Sequence, residues 1–370
     1  MRVDPRSGTS KRCLIFTVVA ALTVSCADNS WRYNRTKAQA TLRKLETPGL
    51  VLGEFSLASD AVLDGDTIRV EGLESSLRLL GLDTEEIYHH KDNKRAAEID
   101  FDKYMRDQRG DSPRPVKFGT PVGVEAKQFA IDFLDGADTV RIERDHPKEI
   151  RGFFNRYLAY VFVKKNGKWV NYNVECVRAG MSPYFTKYGY SRRFHDQFVQ
   201  AEKEARAAHR GIWDPNKQHY PDYAERKAWW NARGDFLRKF EAEARGRDDY
   251  VVLTNWDSLR RIQDHVGKQI TVLGLVDKVK LGDRGPTRVL LSRRVFSNFP
   301  VIFFDKDVFL SSGIARYKRE FVTVTGFVTE YTNKRRKRTE LQIVVDVPGQ
   351  VSGSNVPGIA GTTPRAAMEQ

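Results

Sequence analysis

The acidic stretch VLDGDTIRVEGLESSLRLLGLDTEE, residues 62–86, most constrains how this 370-residue chain can fold. It is typical of a β-hairpin and its exit, yet it carries seven acidic residues and two arginines. Carboxylates that lie close together repel one another and disfavour folding unless a cation lies among them. The stretch therefore predicts either a charged hairpin that faces solvent or a pocket in which carboxylates surround a cation.

The residue types in this stretch indicate what such a pocket would bind. Asp66, Asp83 and Glu86 offer hard oxygen ligands, which suit a calcium-class cation better than a soft metal. Arg78 is unsuited to a metal, but its guanidinium binds phosphate oxygens in a fork. Strict alternation along a strand puts Arg78 and Asp83 on opposite faces. We therefore expect the chain to turn near Gly81 if both residues serve one pocket.

The charge balance of the chain points to a class of partner. There are 62 Lys and Arg residues against 48 Asp and Glu residues, which gives a formal net charge of +14. A basic balance of that size favours a polyanionic partner, either nucleic acid or an anionic membrane surface. The 40% of apolar and 30% of charged residues are normal for a soluble globular protein.

The first 26 residues predict a signal peptide of a bacterial exported protein. Basic residues precede the apolar run CLIFTVVAALTV, which is too short to span a bilayer comfortably. The run is followed by Cys26, a candidate for lipidation, although Thr23 stands where lipoprotein signals usually have Leu. Two outcomes stay open: a membrane-anchored lipoprotein, or a secreted protein cleaved nearby without lipidation. Residues 27–49 are polar and predict a tether.

Cysteine usage excludes a disulfide framework and a Cys/His zinc site. The sequence has three cysteines, and Cys13 leaves with the predicted signal. Cys176 lies in VNYNVECVRAGM, where apolar residues recur at helical spacing. We expect Cys176 to be a buried, inert thiol.

Composition divides the rest of the chain into four parts. A first folded domain spans residues 50–213, and it includes a charged insertion at 87–115 that lacks a core-forming stripe of apolar residues. As a hypothesis, this insertion is either a lid or a solvated surface excursion. A helical linker rich in Lys, Arg, Glu and Trp follows at 214–249, and a strand-rich domain at 250–348. Residues 349–370 are rich in Gly, Ser, Pro and Thr and predict a disordered tail.

The second domain has the element order of an OB-fold barrel, namely three strands, a helix and two strands. The sequence NKRRKR lies between its last two strands. That loop is one of two that OB-folds use on oligonucleotides. A basic run is often just a solvated loop, but its place in this fold favours a nucleic-acid contact. The predicted contact residues are Lys334, Arg335, Arg336, Lys337 and Arg338.

Four separated blocks of the first domain resemble the staphylococcal-nuclease-like (thermonuclease) family in order and spacing. They are VLDGDTIRV with LRLLGLDTEE, VGVEAKQFAIDFL, NRYLAYVFVKKNGKWVNYNVECVRAGM and AEKEARAAHRGIW, and together they cover about residues 58–213. The resemblance implies a five-stranded OB-type barrel with three helices. With the second barrel, the predicted fold class is α+β, mainly β. It also implies a calcium-dependent phosphodiesterase that acts on DNA and RNA.

Carried over residue by residue, the resemblance assigns roles within the acidic hairpin. It implies that Asp66, Asp83 and the carbonyl of Thr84 bind Ca²⁺, with Asp64 in support. Glu86 matches the catalytic glutamate that orients or deprotonates the attacking water. Arg78 and Arg156 match the two phosphate-binding arginines. One cation, one carboxylate and two arginines form a set that phosphodiester hydrolysis needs.

The chain departs from the family pattern at three places. Glu85 stands where the family usually has Pro, so the turn before Glu86 is expected to differ. Phe153 and Phe154 replace a Lys-Tyr pair that contacts phosphate. Tyr184 and Tyr188 in SPYFTKYGY are candidates for stacking on the substrate, with ordinary partly buried aromatics as the alternative.

The sequence as a whole predicts an exported, monomeric, calcium-dependent nuclease whose OB domain holds the polymer. The main alternative is an inactive barrel that binds nucleic acid. A third reading is an envelope interaction protein whose basic surface binds anionic lipid or polymer. Retention of Asp66, Asp83, Glu86, Arg78 and Arg156 argues against an inactive copy.

Overall fold

The computed structural model describes residues 49–149, 156–294, 297–333 and 338–358. The predicted signal peptide, with Cys26, and nearly all of the predicted tether lie outside these residues. Phe153 and Phe154 also lie outside them, as do residues 334–337 and the side chain of Arg338. Within the described part, no helix is both long and apolar enough to cross a membrane.

The first barrel is built on one long, bent strand. The first half of β1 pairs with β4 and its second half pairs with β2, with register shifts that let the strand serve both sides. The sheet order is β3-β2-β1-β4-β5-β6, and parallel pairing of β3 with β5 closes five of these strands into a barrel. The strands are β1 (Val51–Asp64), β2 (Thr67–Val70), β3 (Leu77–Leu79), β4 (Thr139–Glu143), β5 (Tyr157–Lys165) and β6 (Lys168–Asn171).

The helices of the described chain lie around and between the two barrels. Three of them, α3, α4 and α5, contribute residues to the core of the first barrel, as the family resemblance implied. The helices are α1 (Lys91–Ile99), α2 (Phe101–Arg109), α3 (Pro121–Leu134), α4 (Tyr172–Arg178), α5 (His195–Ala207), α6 (Tyr223–Glu243), α7 (Ser258–Gln263) and α8 (Lys306–Ser312).

The core of the first barrel contains the expected buried thiol. Cys176 is fully buried on α4, and it packs with Phe198 of α5 and with strand residues such as Ile68 and Val161. Burial raises the pKa of Cys176 to about 12. The prediction of a buried, inert Cys176 is therefore confirmed.

The second barrel repeats the same closed strand order. Strands β8, β9, β10, β12 and β11 form a ring that closes by pairing of β11 with β8, and α8 lies between β10 and β11 in sequence. The OB-type order and the two-barrel fold class are confirmed. The strands are β7 (Tyr250–Val252), β8 (Gln269–Lys280), β9 (Thr287–Arg294), β10 (Ser297–Phe303), β11 (Phe321–Asn333), β12 (Arg338–Val344) and β13 (Val351–Gly353).

Two segments are more ordered than composition predicted. The charged insertion forms α1 and α2, and its Phe101 and Tyr104 are buried against Phe118 and Tyr220. It is therefore a packed subdomain with its own small apolar cluster. After Pro348, β13 pairs with β11, so the predicted disordered tail does not begin at residue 349. The sequence pattern did not reveal this order because important partners are distant in sequence, as Phe118 is from Tyr220 and Val351 of β13 is from Val324 of β11.

Helix α6 is more than a linker because it packs on both barrels. Its Tyr223 lies in the cluster of the insertion, and its Phe240 packs with Leu273 of β8. Between these ends, Arg233 is fully buried and pairs with Glu320, the residue before β11. The helix therefore ties the first barrel to the second along its whole length.

Candidate active site

The β1–β2 turn places two carboxylates beside the loop that follows β3. The backbone N–H of Asp66 donates to Asp64 Oδ1 at 3.0 Å, and Thr67 Oγ1 donates to Asp66 Oδ1 at 2.9 Å. A Cβ on Gly65 would lie 2.7 Å from Thr84 Cγ2, closer than real Cβ contacts come. Glycine is therefore needed at position 65 because the backbone passes so close to Thr84. The φ of Gly65 is not positive, so a left-handed conformation is not the reason.

Arg78 is the centre of the candidate site. Its guanidinium forms an ion pair with Asp66 through Nη1, and its Nη2 lies 2.6 Å from Asp83 Oδ1 and 2.9 Å from the carbonyl oxygen of Leu82. Gly81 has a φ of +75°, a left-handed conformation that bends the chain between Arg78 and Asp83. The expected turn near Gly81 is confirmed, and it brings the two carboxylates to one guanidinium.

Lys117 is a second cation of the site, and sequence reasoning missed it. Its Nζ lies 2.9 Å from Asp83 Oδ1 and 2.9 Å from Glu86 Oε1. Residues 86 and 119 form a parallel bridge, and the N–H of Thr120 donates to the Glu86 carbonyl at 3.0 Å. This backbone pairing aligns Lys117 with the acidic loop. The sequence pattern did not predict the contact of Lys117 with Glu86, because the insertion separates Lys117 from the acidic loop.

Glu85 explains the departure from the family's proline. The side chain is fully buried and accepts hydrogen bonds from Thr120 Oγ1, from the backbone N–H of Tyr220 at 2.6 Å and from Tyr223 Oη at 2.7 Å. Burial raises the pKa of Glu85. Glu85 thus fastens the loop carrying Glu86 to the start of α3 and to the start of α6.

Opposite charges set the ionisation of the hairpin acids. Burial opposes ionisation of Asp66, but Arg78 and Lys117 outweigh it and hold the pKa of Asp66 at about 2. Burial and the neighbouring Asp66 raise the pKa of Asp64 to about 7. Arg78 therefore favours the ionised form of Asp66, whereas the position of Asp64 favours the protonated form.

Arg156 lies just before β5, the strand that pairs with β3. Leu158 pairs with Arg78 in that ladder, so Arg156 lies two residues before the strand partner of Arg78. Burial and the nearby Arg78 lower the pKa of Arg156. Within the described part of the chain, the Arg156 guanidinium makes no hydrogen bond or ion pair. Arg156 therefore retains its donors for an anion next to Arg78.

The two candidate stacking tyrosines differ. Tyr184 is buried, with its ring stacked on Phe198 at a centroid distance of 4.8 Å. The prediction that Tyr184 stacks on the substrate is corrected, because its ring is already enclosed by the core of the barrel. Tyr188 is 50% exposed and makes an edge contact with Phe185, whose ring Arg78 approaches at 5.6 Å. Only Tyr188 has a ring available to a ligand.

Comparison with known proteins identifies the family. The family model described as staphylococcal nuclease homologue matches residues 76–215, which include Arg78, Asp83, Glu86 and Arg156. The uncharacterized protein MJ1439 of Methanocaldococcus jannaschii is 33% identical over 161 residues, which is 41% of this chain and 69% of that protein. The chain belongs to the staphylococcal nuclease homologue family. Its first barrel is a nuclease-family fold.

The candidate site of this family member contains oxygen donors of the type that hard cations prefer. The carboxylates of Asp66 and Asp83 converge on Arg78, and Thr84 adds a buried backbone beside them. Oxygen donors of this kind suit calcium. The described residues contain no group of three or more His, Cys, Asp or Glu side chains arranged to hold a metal. In this nuclease-family barrel, the carboxylates instead contact Arg78 and Lys117.

The predicted basic run of the second domain falls almost wholly outside the described residues. Lys334, Arg335, Arg336 and Lys337 fall outside the described residues, between the end of β11 and the start of β12. Their contact with nucleic acid stays a prediction.

Proposed function

We propose that this protein is a calcium-dependent nuclease that hydrolyses phosphodiester bonds of DNA, RNA or both. The observation that carries the proposal is the convergence of Asp66 and Asp83 on Arg78, with Glu86 on the same loop. Arg156, which lacks a partner among the described residues, adds a guanidinium two residues before the strand partner of Arg78. Family membership supports the same chemistry.

Each residue then has a defined task in the reaction. Arg78 and Arg156 bind non-bridging phosphate oxygens through their forks. Glu86, whose side chain is 26% exposed, accepts a proton from the attacking water. Asp66, Asp83 and the carbonyl of Thr84 would hold the cation. When bound there, Ca²⁺ supplies positive charge that offsets the charge developing on the phosphate.

The ion pairs of the site also favour a second candidate function, nucleic-acid binding without cleavage. Arg78 and Lys117 already form ion pairs with Asp66, Asp83 and Glu86. A chain with this arrangement could bind phosphates while holding calcium poorly. The envelope interaction protein stays a separate alternative, and it would bind anionic lipid vesicles in place of nucleic acid.

One assay separates these functions. The full-length protein is incubated with end-labelled DNA and RNA in calcium or in EGTA, and both binding and fragment formation are followed. The nuclease proposal predicts fragments in calcium and none in EGTA. Binding with no fragments in either condition would assign the chain to the inactive alternative, and no binding at all would reject both.

We further propose that the second barrel holds the polymer. The OB-type strand order and the place of the basic run between β11 and β12 support this role. Replacing residues 334–338 by Ser should raise KM for long polymers and flatten its salt dependence, since phosphate contacts release counterions. An unchanged KM and salt slope would indicate a protein-docking module instead.

Export, lipidation at Cys26 and a monomeric state complete the proposal. Export and lipidation rest on the basic and apolar pattern of the first 26 residues and on the position of Cys26 after it. Membrane-fraction recovery of Cys26→Ser in a bacterial host tests the anchor. If the membrane-fraction recovery of Cys26→Ser equals that of the unaltered protein, lipidation at Cys26 is rejected and secretion without lipidation remains.

A further inference from the structure

Side chains from three separate segments meet beside the candidate active site. Lys187 comes from the loop between α4 and α5, Arg114 from the end of the insertion, and Trp229 from α6. The Lys187 Nζ lies 4.0 Å from the centroid of the Trp229 ring, and the Arg114 guanidinium carbon lies 5.1 Å from it. All three side chains are half-buried. We call this group the Trp229 cluster.

Neither cation of the Trp229 cluster forms an ion pair with a carboxylate among the described residues. Within the described residues, neither the Lys187 ammonium nor the Arg114 guanidinium makes a hydrogen bond or an ion pair, and each contacts aromatic rings only. By contrast, Lys227, which lies on α6 like Trp229, has a carboxylate partner, because its Nζ lies 2.6 Å from Glu202 Oε1. Burial and the nearby Arg233 lower the pKa of Lys187 to about 8. The surroundings of Lys187 therefore disfavour its charged ammonium form unless an anion binds beside it.

The surroundings fix the Trp229 cluster in place. Trp229 Nε1 donates to Glu320 Oε1 at 2.9 Å, so the second barrel holds the ring. Arg233 Nε donates to the carbonyl oxygen of Lys187 at 2.9 Å, and Arg233 Nη1 donates to that of Arg319 at 2.9 Å. Pre-organised cations bind an anion with less loss of conformational entropy than mobile surface lysines.

The Trp229 cluster also lies on a path from the candidate active site to the second barrel. Lys187 interacts electrostatically with Asp83 and Lys117 on one side and with Glu320 on the other. Tyr188, exposed and next in sequence, has its ring centroid 6.0 Å from Lys187 Nζ, and it also interacts electrostatically with the Arg156 guanidinium. A strand whose phosphate reaches Arg78 and Arg156 would thus present a further phosphate near Lys187.

We propose that Lys187 and Arg114, positioned by Trp229, form a subsite for a second phosphate group of the nucleic-acid strand, on the side that faces the second barrel. This inference rests on the proposed function and deepens it. It assigns a positioning role to Trp229, which lies beyond the residues that match the family model. It also gives the insertion a task, since Arg114 is one of its last residues.

The test measures binding of a short fluorescein-labelled oligodeoxythymidylate to the full-length chain across a series of salt concentrations. All proteins carry Glu86→Gln, so that the probe is not consumed. Adding Lys187→Met with Arg114→Met should weaken binding about tenfold at low salt, because charge-assisted hydrogen bonds are lost. It should also make the slope of log K against log salt shallower by about 0.7, the value for one phosphate on a single strand.

Two further variants keep the result interpretable. Lys168→Met removes a cation from the β5–β6 hairpin, about 30 Å along β5 from Arg156, and should change neither affinity nor slope. Lys187→Gln with Arg114→Gln repeats the loss of charge with polar side chains and should match the Met pair.

Each outcome decides one point. An unchanged slope in both double variants, with salt-dependent binding in the parent, overturns the subsite and leaves the proposed function standing. Absence of salt-dependent binding in the parent itself would reject nucleic acid as the partner and remove the basis of both proposals.

Discussion

The two barrels share one closed strand order but place their buried charges differently. In the first, Asp66, Asp83 and Arg78 lie together where the β1–β2 turn meets the exit of β3. In the second region, the buried carboxylates among the described residues are Asp257 and Glu320. Asp257 pairs with Lys148 at 2.8 Å and Glu320 pairs with Arg233, both outside the second barrel.

The difference shows that this topology alone confers no chemistry. The first barrel gathers opposite charges at one end, next to a partly exposed Glu86 and an Arg156 without a partner among the described residues. The second barrel uses buried charge to fix itself against α6 and the first domain. We therefore assign bond cleavage to the first barrel, and to the second a fixed position from which it can guide the polymer.

The largest expected effect comes from the two arginines. Arg78→Lys and Arg156→Lys should each lower the cleavage rate by about 10³-fold, because a point charge cannot reproduce a guanidinium fork in phosphoryl transfer. They should differ in stability. Arg78→Lys loses the joint contact with Asp66, Asp83 and the Leu82 carbonyl and should lower the free energy of unfolding by about 2 kcal/mol.

Arg156→Lys, with no such contacts among the described residues, should leave the free energy of unfolding nearly unchanged. Urea unfolding and single-turnover cleavage on the same preparations measure both quantities. Equal stability losses in the two variants would contradict the contrast between Arg78, which contacts the acidic loop, and Arg156, which makes no such contact among the described residues.

An effect smaller than that loss of cleavage rate is expected where α6 contacts the second barrel. Glu320→Gln leaves the buried Arg233 without its carboxylate and should lower the free energy of unfolding by about 3 kcal/mol. Glu330→Gln, on the exposed face of β11, is the matched control and should have little effect. Thermal and urea unfolding provide the measurement. Equal stability of the two variants would mean that Glu320 does not fix the second barrel.

The smallest effect is expected at Glu85. Glu85→Gln keeps one oxygen for Tyr220 and Tyr223 but replaces the oxygen that accepts from Thr120. The free energy of unfolding should fall by about 1 kcal/mol. If urea unfolding shows the variant to be more stable than the parent, then burying the ionised carboxylate costs more free energy than its three hydrogen bonds contribute.

Sequence reasoning worked where a signal was local or where several blocks agreed. The turn at Gly81, the burial of Cys176 and the strand order of both barrels were all predicted correctly. It failed where partners lie far apart. Lys117 reaches Glu86 through pairing across the insertion, and Tyr184 is enclosed by a core that the local pattern SPYFTKYGY does not reveal.

The most direct test of the account compares Glu86→Gln with Glu98→Gln. Glu98 lies on α1, 64% exposed, and pairs only loosely with Lys94 at 3.8 Å, so its substitution is the matched control. Single-turnover cleavage of labelled DNA and RNA in calcium is measured for both full-length variants and the parent. We predict that the cleavage rate falls roughly 10²- to 10⁴-fold in Glu86→Gln, with oligonucleotide binding retained, and does not fall in Glu98→Gln. Parental cleavage rates in Glu86→Gln would contradict the assignment of catalysis to the end of the first barrel.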